Sequence, residues 1–154
     1  VIDADALNII SADPSLHSLI PAGSILTPHP KEFERLAGSS ENDFDRIEKA
    51  RAKARQLNVI ILLKGQHSLI ATAGGKAWFN STGNPGMATG GSGDVLTGIL
   101  TGLLAQGYSS VEAAMLGSYL HGLAGDIAAR ELSQEAMIAG DITEFLGRAF
   151  LQIQ

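Results

Sequence analysis

The sequence contains no cysteine, no long apolar run and no excess of basic residues. Without cysteine, the chain can form neither a disulfide nor a thiolate metal site. No segment stays apolar for long enough to span a bilayer. The formal net charge is −5, which argues against a protein that holds nucleic acid by neutralising its phosphates. We therefore expect a soluble, cytoplasmic domain that binds neither nucleic acid nor membrane, although local backbone amides can still hold a small polyanion.

Short apolar runs alternate with stretches of helical periodicity along the 154 residues. The run 59–63 is too short for a helix and contains no polar residue, which is typical of a buried parallel strand. Segments 68–72 and 76–80 predict an antiparallel hairpin. The helix predicted over 44–57 has an apolar face that begins at Phe44. We expect a further strand over 24–27 and helices over 30–36, 94–105, 109–132 and 141–151. This order predicts an α/β fold with a mostly parallel central sheet, helices on both faces and one β-hairpin.

The chain opens on Val1-Ile2-Asp3-Ala4-Asp5, a pattern typical of the end of a buried strand. A parallel strand needs neighbours on both sides and helices on both faces. We therefore expect an amino-terminal segment or a companion chain to supply the remaining strands. Asp3, Asp5 and Asn8 would then lie at a strand end. There they orient a metal–nucleotide complex or a substrate hydroxyl, or they simply form loop hydrogen bonds.

A glycine-rich segment, Asn84-Pro85-Gly86-Met87-Ala88-Thr89-Gly90-Gly91-Ser92-Gly93-Asp94, precedes a long apolar helix. Its glycines let successive backbone N–H groups turn towards one point, and the helix adds unsatisfied amides and the positive end of its dipole. Such a nest holds a phosphate, and a side chain at Gly93 would block it or demand unfavourable backbone angles. Asp94 would repel that anion, but a carboxylate here suits a base that takes a proton from an attacking hydroxyl. The alternative is a glycine-rich turn in which Asp94 is an ordinary acid of the first helical turn.

Two other segments carry candidate residues. Lys64 and Gly65 follow the strand predicted over 59–63, at the carboxyl edge of the sheet where α/β folds bind ligands. One interpretation is that Lys64 reaches a phosphate there. The alternative is a solvated lysine at the end of the strand, beside a turn glycine. His29 precedes the helix over 30–36 and points towards the same edge, or it is structural, with Glu32 favouring the start of that helix.

The helix predicted over 109–132 carries a narrow face of small residues with one histidine. This face is formed by Ala114, Ser118, His121 and Gly125. One interpretation is that this face borders a nucleotide base. The alternative is that its small residues allow close helix packing. No two histidines stand at metal-ligand spacing on one helix face, so we expect no structural transition metal. The Gly-Lys-Ser/Thr ending of a P-loop is also absent, which excludes that class of nucleotide-binding site.

At these residues the sequence resembles the ADP- or ATP-dependent NAD(P)H-hydrate dehydratases of the ribokinase-like superfamily. The matching segments are 1–8, 27–32, 64–65, 83–98, 119–126 and 139–142. The run from Gly83 to Gly98 is the specific part, because only shorter pieces of it recur in sugar and vitamin kinases. The resemblance implies a ribokinase-like three-layer fold, with residues 1–154 as the carboxyl-terminal portion of a single dehydratase domain. The family's domain is longer, and its amino-terminal half supplies further strands and another glycine-rich loop.

The resemblance also implies roles for individual residues. Asp94 would be the catalytic base. Gly91, Ser92 and Gly93 would form the anion hole, with Gly93 also touching the nucleotide. His29 would contact the hydrated nicotinamide substrate. The residues implied for the adenine nucleotide are Lys64, Gly65, Gln66, His67 and Ser68.

The implied reaction restores NADH or NADPH from its hydrated form. Asp94 deprotonates the ring hydroxyl as it attacks the terminal phosphoryl group of ADP or ATP, and the phosphate ester then leaves, pushed by the ring nitrogen. Mg²⁺ is expected on the nucleotide phosphates, and the protein is expected to form a homo-oligomer. One alternative is a vitamin or sugar kinase of the same fold, which releases a stable phosphate ester. Another is a non-catalytic nucleotide-sensing domain, which would need no base at position 94.

Overall fold

The computed structural model describes residues 1–154, which divide into two units, Val1–Phe79 and Asn80–Gln154. The first unit contains three α-helices, a short 3₁₀ helix and all four strands. Its helices are α1 (Ala4–Ala12), α2 (Pro30–Ala37) and α3 (Asp43–Leu57), and the 3₁₀ helix is Pro14–Leu19. Its strands are β1 (Ile25–Leu26), β2 (Ile60–Leu63), β3 (Leu69–Ala71) and β4 (Ala77–Phe79).

The four strands form one sheet in the order β1-β2-β3-β4. β1 and β2 are parallel, and Ile2 forms an isolated parallel bridge to Leu26. The β2/β3 and β3/β4 pairs are antiparallel. The α/β class is therefore confirmed, but the expectation of mostly parallel pairing is corrected to a mixed sheet. The physical reason is that only residues 64–68 join β2 to β3, too few for the crossover of about a dozen residues that a parallel pair requires.

The predicted hairpin is confirmed as β3 and β4, with Ile70 opposite Trp78. The amide of Gly75 donates to the carbonyl of Thr72 at 2.9 Å, and the amide of Thr72 donates to the carbonyl of Lys76 at 3.0 Å. Gly75 has a φ of +82°, the left-handed conformation that glycine adopts without strain. A tight turn followed by a left-handed glycine is a common three-residue hairpin loop, and it fixes the register of the two strands.

The amino-terminal segment differs from its prediction. Only Ile2 bridges to a neighbouring strand, and helix α1 begins two residues later at Ala4. Asp5 and Asn8 therefore lie on a helix and not at a strand end, and the Asn8 side chain accepts a hydrogen bond from Arg35 at 2.7 Å. Asp3, in an extended conformation before α1, is the member of this group that stays at the strand end.

Helix α3 has the predicted bounds within one residue, but its apolar face begins later than predicted. The Phe44 side chain is 82% exposed. Packing against the core begins one turn further on, at the partly buried Ile47, because Phe44 lies in the first turn and precedes the part of the helix that meets the sheet. The core of this unit is formed by Leu7, Leu26, Phe33, Leu36, Ala50, Ala54, Leu57, Val59, Ile61, Leu63, Leu69 and Ala71.

The second unit is helical. It contains a 3₁₀ turn (Pro85–Met87) and the helices α4 (Ser92–Ala105), α5 (Ser110–Leu132) and α6 (Ala139–Gln152). Helix α5 begins with the predicted capping box, in which the Ser109 hydroxyl accepts from the Glu112 amide and the Glu112 carboxylate accepts from the Ser109 amide. All three long helices lie within two residues of their predicted starts.

The core of the second unit lies mainly between α5 and α6. Its buried residues are Leu120, Leu123, Ala124, Ile127, Ala128, Met137, Ile142, Phe145 and Ala149. Gly117 lets α4 approach α5 closely, because a Cβ at this position would lie 2.7 Å from a methyl carbon of Leu100. None of the six helices combines the length and apolar character that a membrane crossing requires.

Candidate functional site

The candidate residues of the first unit lie where parallel segments of the sheet end. Asp3 follows the bridging residue Ile2, Thr27 follows β1, and Lys64 follows β2. Parallel segments end at the same edge, so this is the carboxyl edge at which α/β folds bind ligands. The Lys64 amide extends the pairing by donating to the Pro28 carbonyl at 2.8 Å. The structure therefore brings together Asp3 and Lys64, which sequence analysis treated as separate candidates.

Lys64 forms an ion pair with Asp3, with 2.9 Å between Nζ and Oδ1. The side chains are only 25% and 13% exposed, respectively, so Lys64 is not the solvated lysine of the alternative interpretation. Burial of Asp3 raises the pKa of its carboxyl, but the Lys64 hydrogen bond and charge, with smaller contributions from the Ala4 amide and Thr27, outweigh burial and lower that pKa. Asp3 thus stays ionised and holds the ammonium group in place at this edge.

The rest of the segment predicted to bind the nucleotide connects β2 to β3. Gly65, Gln66 and His67 are exposed and Ser68 is half-buried. A Cβ at Gly65 would meet nothing closer than the His67 carbonyl oxygen at 4.0 Å, so a ligand can approach this backbone. The nucleotide contacts of these residues remain a prediction.

His29 is the N-cap of α2. Its Nδ1 accepts from the amides of Lys31 and Glu32 at 3.1 and 3.3 Å, while its own amide donates to Glu32 Oε2 at 2.8 Å. An accepting Nδ1 carries no proton, so the ring proton sits on Nε2, which lies 3.3 Å from Glu32 Oε1. The His29 side chain is nevertheless 46% exposed. The capping role and a substrate contact are therefore compatible, and the substrate contact remains a prediction.

In the second unit, the glycine-rich segment runs directly into α4. Gly91 is the N-cap of that helix with a φ of +90°, and no side chain caps the first turn. Ser92, Gly93 and Asp94 are the first three helical residues. Gly91 therefore needs the conformational freedom of glycine, whereas Gly93 is helical and is absent from the positive-φ glycines. The expectation that backbone angles demand glycine at position 93 is corrected, because the left-handed turn is made two residues earlier.

Asp94 is exposed and is the third residue of α4. The Ser92 amide donates to the Thr89 carbonyl at 3.3 Å, and the Val95 amide makes the first helical bond, to the Gly91 carbonyl at 3.1 Å. The amides of Gly93 and Asp94 lie between these two and are the ones left to bind an anion at the uncapped helix start. An exposed carboxylate beside such amides can act as a base. It can take the proton of a hydroxyl that attacks a phosphoryl group bound by those amides.

Asp126, for which the sequence predicts no role, contacts the glycine-rich segment directly. Asp126 Oδ2 accepts from the Gly83 amide and Oδ1 accepts from Asn84 Nδ2, both at 2.9 Å. The small-residue face of α5 also contacts this unit's own loop: a Cβ at Gly125 would lie 2.4 Å from Met87 Sδ. Close packing therefore accounts for Gly125. The spacing of 42 residues between Asn84 and Asp126 leaves no local signal for this contact.

No group of three or more histidine, aspartate or glutamate side chains in the structure is arranged to hold a metal ion.

The chain is similar in sequence and in fold to several known proteins. A bifunctional NAD(P)H-hydrate repair enzyme from Moorella thermoacetica is 50% identical over 148 residues, covering 95% of this chain and 28% of the relative. The crystal structure of the ADP/ATP-dependent NAD(P)H-hydrate dehydratase of Bacillus subtilis, co-crystallised with ATP/Mg²⁺ and soaked with CoA, is 36% identical. It superposes with a TM-score of 0.79 over 86% of this chain and 50% of its own.

A ribokinase-like superfamily protein from Enterococcus faecalis is 30% identical, with a TM-score of 0.78 over 98% of this chain and 51% of its own. The ribokinase-like fold is thereby confirmed. The chain spans 28%, 50% and 51% of the lengths of these three proteins, respectively. Residues 1–148 match the family model described as NAD(P)H-hydrate dehydratase, and the chain belongs to that family.

Proposed function

We propose that this chain carries the nucleotide-binding and catalytic residues of an enzyme that restores NADH and NADPH from their hydrated forms. The observation that carries the proposal is Asp94, an exposed carboxylate at the third position of a helix whose first turn has no side-chain cap. Membership of the NAD(P)H-hydrate dehydratase family supports the substrate. Because relatives of the chain are longer, the proposal concerns the activity of a whole protein containing it.

The proposed chemistry replaces a poor leaving group by a good one. Asp94 takes the proton of the hydroxyl on the reduced nicotinamide ring as that oxygen attacks the terminal phosphoryl group of ADP or ATP. The O–H and P–O(leaving) bonds break and a new P–O bond forms. The lone pair of the ring nitrogen then expels phosphate as the C–O bond breaks, and loss of a proton from the neighbouring ring carbon gives NADH or NADPH.

The proposed anion hole is the segment Gly91, Ser92 and Gly93, in which the Gly93 amide, with that of Asp94, is the available donor because the Ser92 amide is bonded to Thr89. The helix dipole of α4 and the amides at its first turn would hold the negative charge of the transferred group. Such stabilisation is typically worth a factor of about a hundred or more per donor. Gly93 would also touch the nucleotide, since only hydrogen projects from its Cα.

The adenine nucleotide would bind residues Lys64 to Ser68. The Lys64 ammonium, already placed by Asp3, would supply the positive charge, and the exposed backbone from Gly65 would lie against the nucleotide. The Bacillus subtilis relative is named ADP/ATP-dependent, which supports both nucleotides as donors. The His29 ring, half-exposed at the edge after β1, would contact the hydrated nicotinamide.

Mg²⁺ fits as an ion carried by the nucleotide. The structure has no group of acidic and histidine side chains that would form a protein cage, and Mg²⁺ commonly binds through substrate phosphates, water and one or two carboxylates. Asp3 is paired with Lys64, which leaves Asp5 and Asp94 as the exposed carboxylates among the candidate residues. When bound, the ion would neutralise charge on the nucleotide phosphates.

The decisive experiment incubates hydrated NADH and hydrated NADPH with ADP or ATP and a polypeptide containing residues 1–154. The expected products are the reduced dinucleotide and one free phosphate per turnover. A phosphorylated product that persists would instead indicate the vitamin or sugar kinase alternative. Binding of nucleotide with neither product would indicate the non-catalytic sensing domain.

A further inference from the structure

One face of α5 contacts both ends of the segment that leads to α4. Asp126 is the anchor at its start, accepting from the Gly83 amide and from Asn84 Nδ2 with its two oxygens. Asn84 Oδ1 in turn accepts from the Gly86 amide at 3.0 Å, which caps the 3₁₀ turn. The three hydrogen bonds form one chain from α5 to the turn, and each atom has a defined donor or acceptor role.

The same face is shaped to let the segment lie against the helix backbone. A Cβ at Gly122 would lie 2.3 Å from Thr82 Oγ1 and 2.6 Å from its carbonyl carbon. The Thr82 hydroxyl donates to the Tyr119 carbonyl at 2.8 Å, and the Asn80 amide group donates to the Ser118 carbonyl at 3.2 Å. Side-chain hydrogen bonds therefore fix residues 80–86 to α5. The absence of a side chain at Gly122 lets this segment lie directly against the helix backbone.

His121 makes the corresponding contact at the other end of the segment. Its Nε2 lies 3.0 Å from the Ser92 carbonyl oxygen and 3.3 Å from the Ser92 hydroxyl. A carbonyl oxygen only accepts, so Nε2 carries the proton and donates to it. Ser92 is the first residue of α4, and the peptide group that receives this hydrogen bond contains the Gly93 amide.

We propose that His121 and Asp126 are positioning residues, through which α5 holds the glycine-rich segment and the start of α4 in the geometry needed for phosphoryl transfer. This inference rests on the proposed function. His121 orients the peptide between Ser92 and Gly93, and Asp126 fixes the segment that precedes it. Neither residue needs to touch the substrate. Small displacements of groups that bind a reacting phosphoryl lower turnover more than they lower ground-state affinity.

The first test replaces His121 by two residues of different hydrogen-bonding capacity. The amide nitrogen of His121→Gln can donate to the Ser92 carbonyl, whereas His121→Phe keeps an aromatic ring of similar size without a donor. We expect His121→Phe to lower kcat about tenfold or more with little change in the KM for nucleotide, and His121→Gln to recover most of kcat. Equal kcat in wild type and His121→Phe would overturn the inference for His121.

The second test exchanges the side chains of Asp126 and Asn84. In Asp126→Asn, one of the three hydrogen bonds is lost in every orientation of the two side-chain amides. Either the two NH₂ groups face each other, or one NH₂ group faces a backbone N–H, and two donors cannot bond. Adding Asn84→Asp restores all three, with the donor and acceptor of the side-chain pair reversed. We expect the single variant to lose kcat and the double variant to recover it. A double variant as slow as the product of both single losses would overturn the inference for Asp126.

Amide hydrogen exchange separates this inference from the proposed function. His121→Phe should accelerate exchange at the bonded amides of Ser92 and Val95, and Asp126→Asn at those of Gly83 and Gly86, relative to the core of α6 in the same sample. If wild type turns over no hydrated NADH, the proposed function fails, whereas the exchange data still report on the anchors. If wild type turns over and the variants change neither exchange nor kcat, the positioning role fails alone.

Discussion

Lys64 and Asp3, 61 residues apart in the chain, form a 2.9 Å ion pair at the carboxyl edge of the sheet. The pair ties the segment before α1 to the segment after β2. It also supplies a fixed positive charge beside the exposed backbone from Gly65 to His67. A charge that is already held costs less to order when an anion binds, so the pair serves both the fold and the proposed nucleotide site.

The ion pair predicts a pH-dependent stability. The pKa of Asp3 is lowered in the folded chain from its ordinary value of 3.8, so the contribution of the pair is fully present above that value and is lost as pH falls through the folded pKa. Asp3→Asn should cost about 1–2 kcal/mol near neutral pH, less than a fully buried pair because Lys64 is 25% exposed. Denaturant titrations of both proteins across acidic pH should show this difference shrinking towards zero below pH 3.8.

The matched control for this measurement is the surface pair of Arg46 and Asp43. Their separation is 2.8 Å, but the Asp43 side chain is 86% exposed. Asp43→Asn should therefore change stability by less than about 0.5 kcal/mol at any pH. Equal effects of the two substitutions would mean that Lys64 and Asp3 are no more coupled than an ordinary surface pair.

Asp94→Asn should bind nucleotide nearly as tightly as wild type and lose turnover by about a hundredfold or more, the usual scale for loss of a general base. The reason is that the amide keeps the size of the side chain but cannot accept the hydroxyl proton. Calorimetric titration with ADP and ATP measures binding, and release of NADH from hydrated NADH measures turnover. Asp43→Asn, which changes another exposed acid in a first helical turn, is the control. Near-normal turnover in Asp94→Asn would remove Asp94 from the mechanism.

Gly93→Val should impair nucleotide use strongly, because the added side chain would cover the amides at the start of α4. Backbone strain is not the reason, since Gly93 is helical. Gly102→Val is the matched control: it lies in the same helix, and a Cβ there meets nothing within 4 Å. Both variants carry a similar helix-propensity change, so their thermal stabilities should be close while only Gly93→Val loses affinity and rate. If the two variants retain equal rates, residue 93 has no part in the anion hole.

The sequence predicts those parts of the fold that depend on local pattern. The buried run of β2, the hairpin around Gly75, and the long helices α4, α5 and α6 follow from apolar periodicity and from turn and capping residues. Helix α1 was missed, because its apolar residues adjoin Ile2, which does bridge to a strand. The exposure of Phe44 was missed as well, because periodicity shows which face is apolar but not where the neighbouring sheet ends.

The candidate site divides in the same way. The glycine-rich run, Lys64 and His29 stand out because their residue types are unusual at strand and helix ends. Their pairings do not, because Asp3 and His121, although candidates themselves, and Asp126 act through tertiary contacts with residues far along the chain. Such contacts leave no spacing that one sequence can display. The His29 cap is an intermediate case, since His-Pro-Lys-Glu has Glu32 at the capping-box position but a histidine where serine or threonine is usual.

The two roles assigned to His29 can be separated by substitution. Its Nδ1 caps α2, and asparagine is also an effective N-cap, whereas alanine is not. His29→Ala should therefore lose about 1 kcal/mol of stability, and His29→Asn should lose only a few tenths. If the exposed ring also contacts the hydrated nicotinamide, both variants should show a raised KM for hydrated NADH with an unchanged KM for nucleotide. Thermal unfolding and steady-state kinetics of the two variants measure both effects. A normal KM for hydrated NADH in His29→Asn would leave His29 with the capping role alone, since that variant keeps the helix start and removes only the ring.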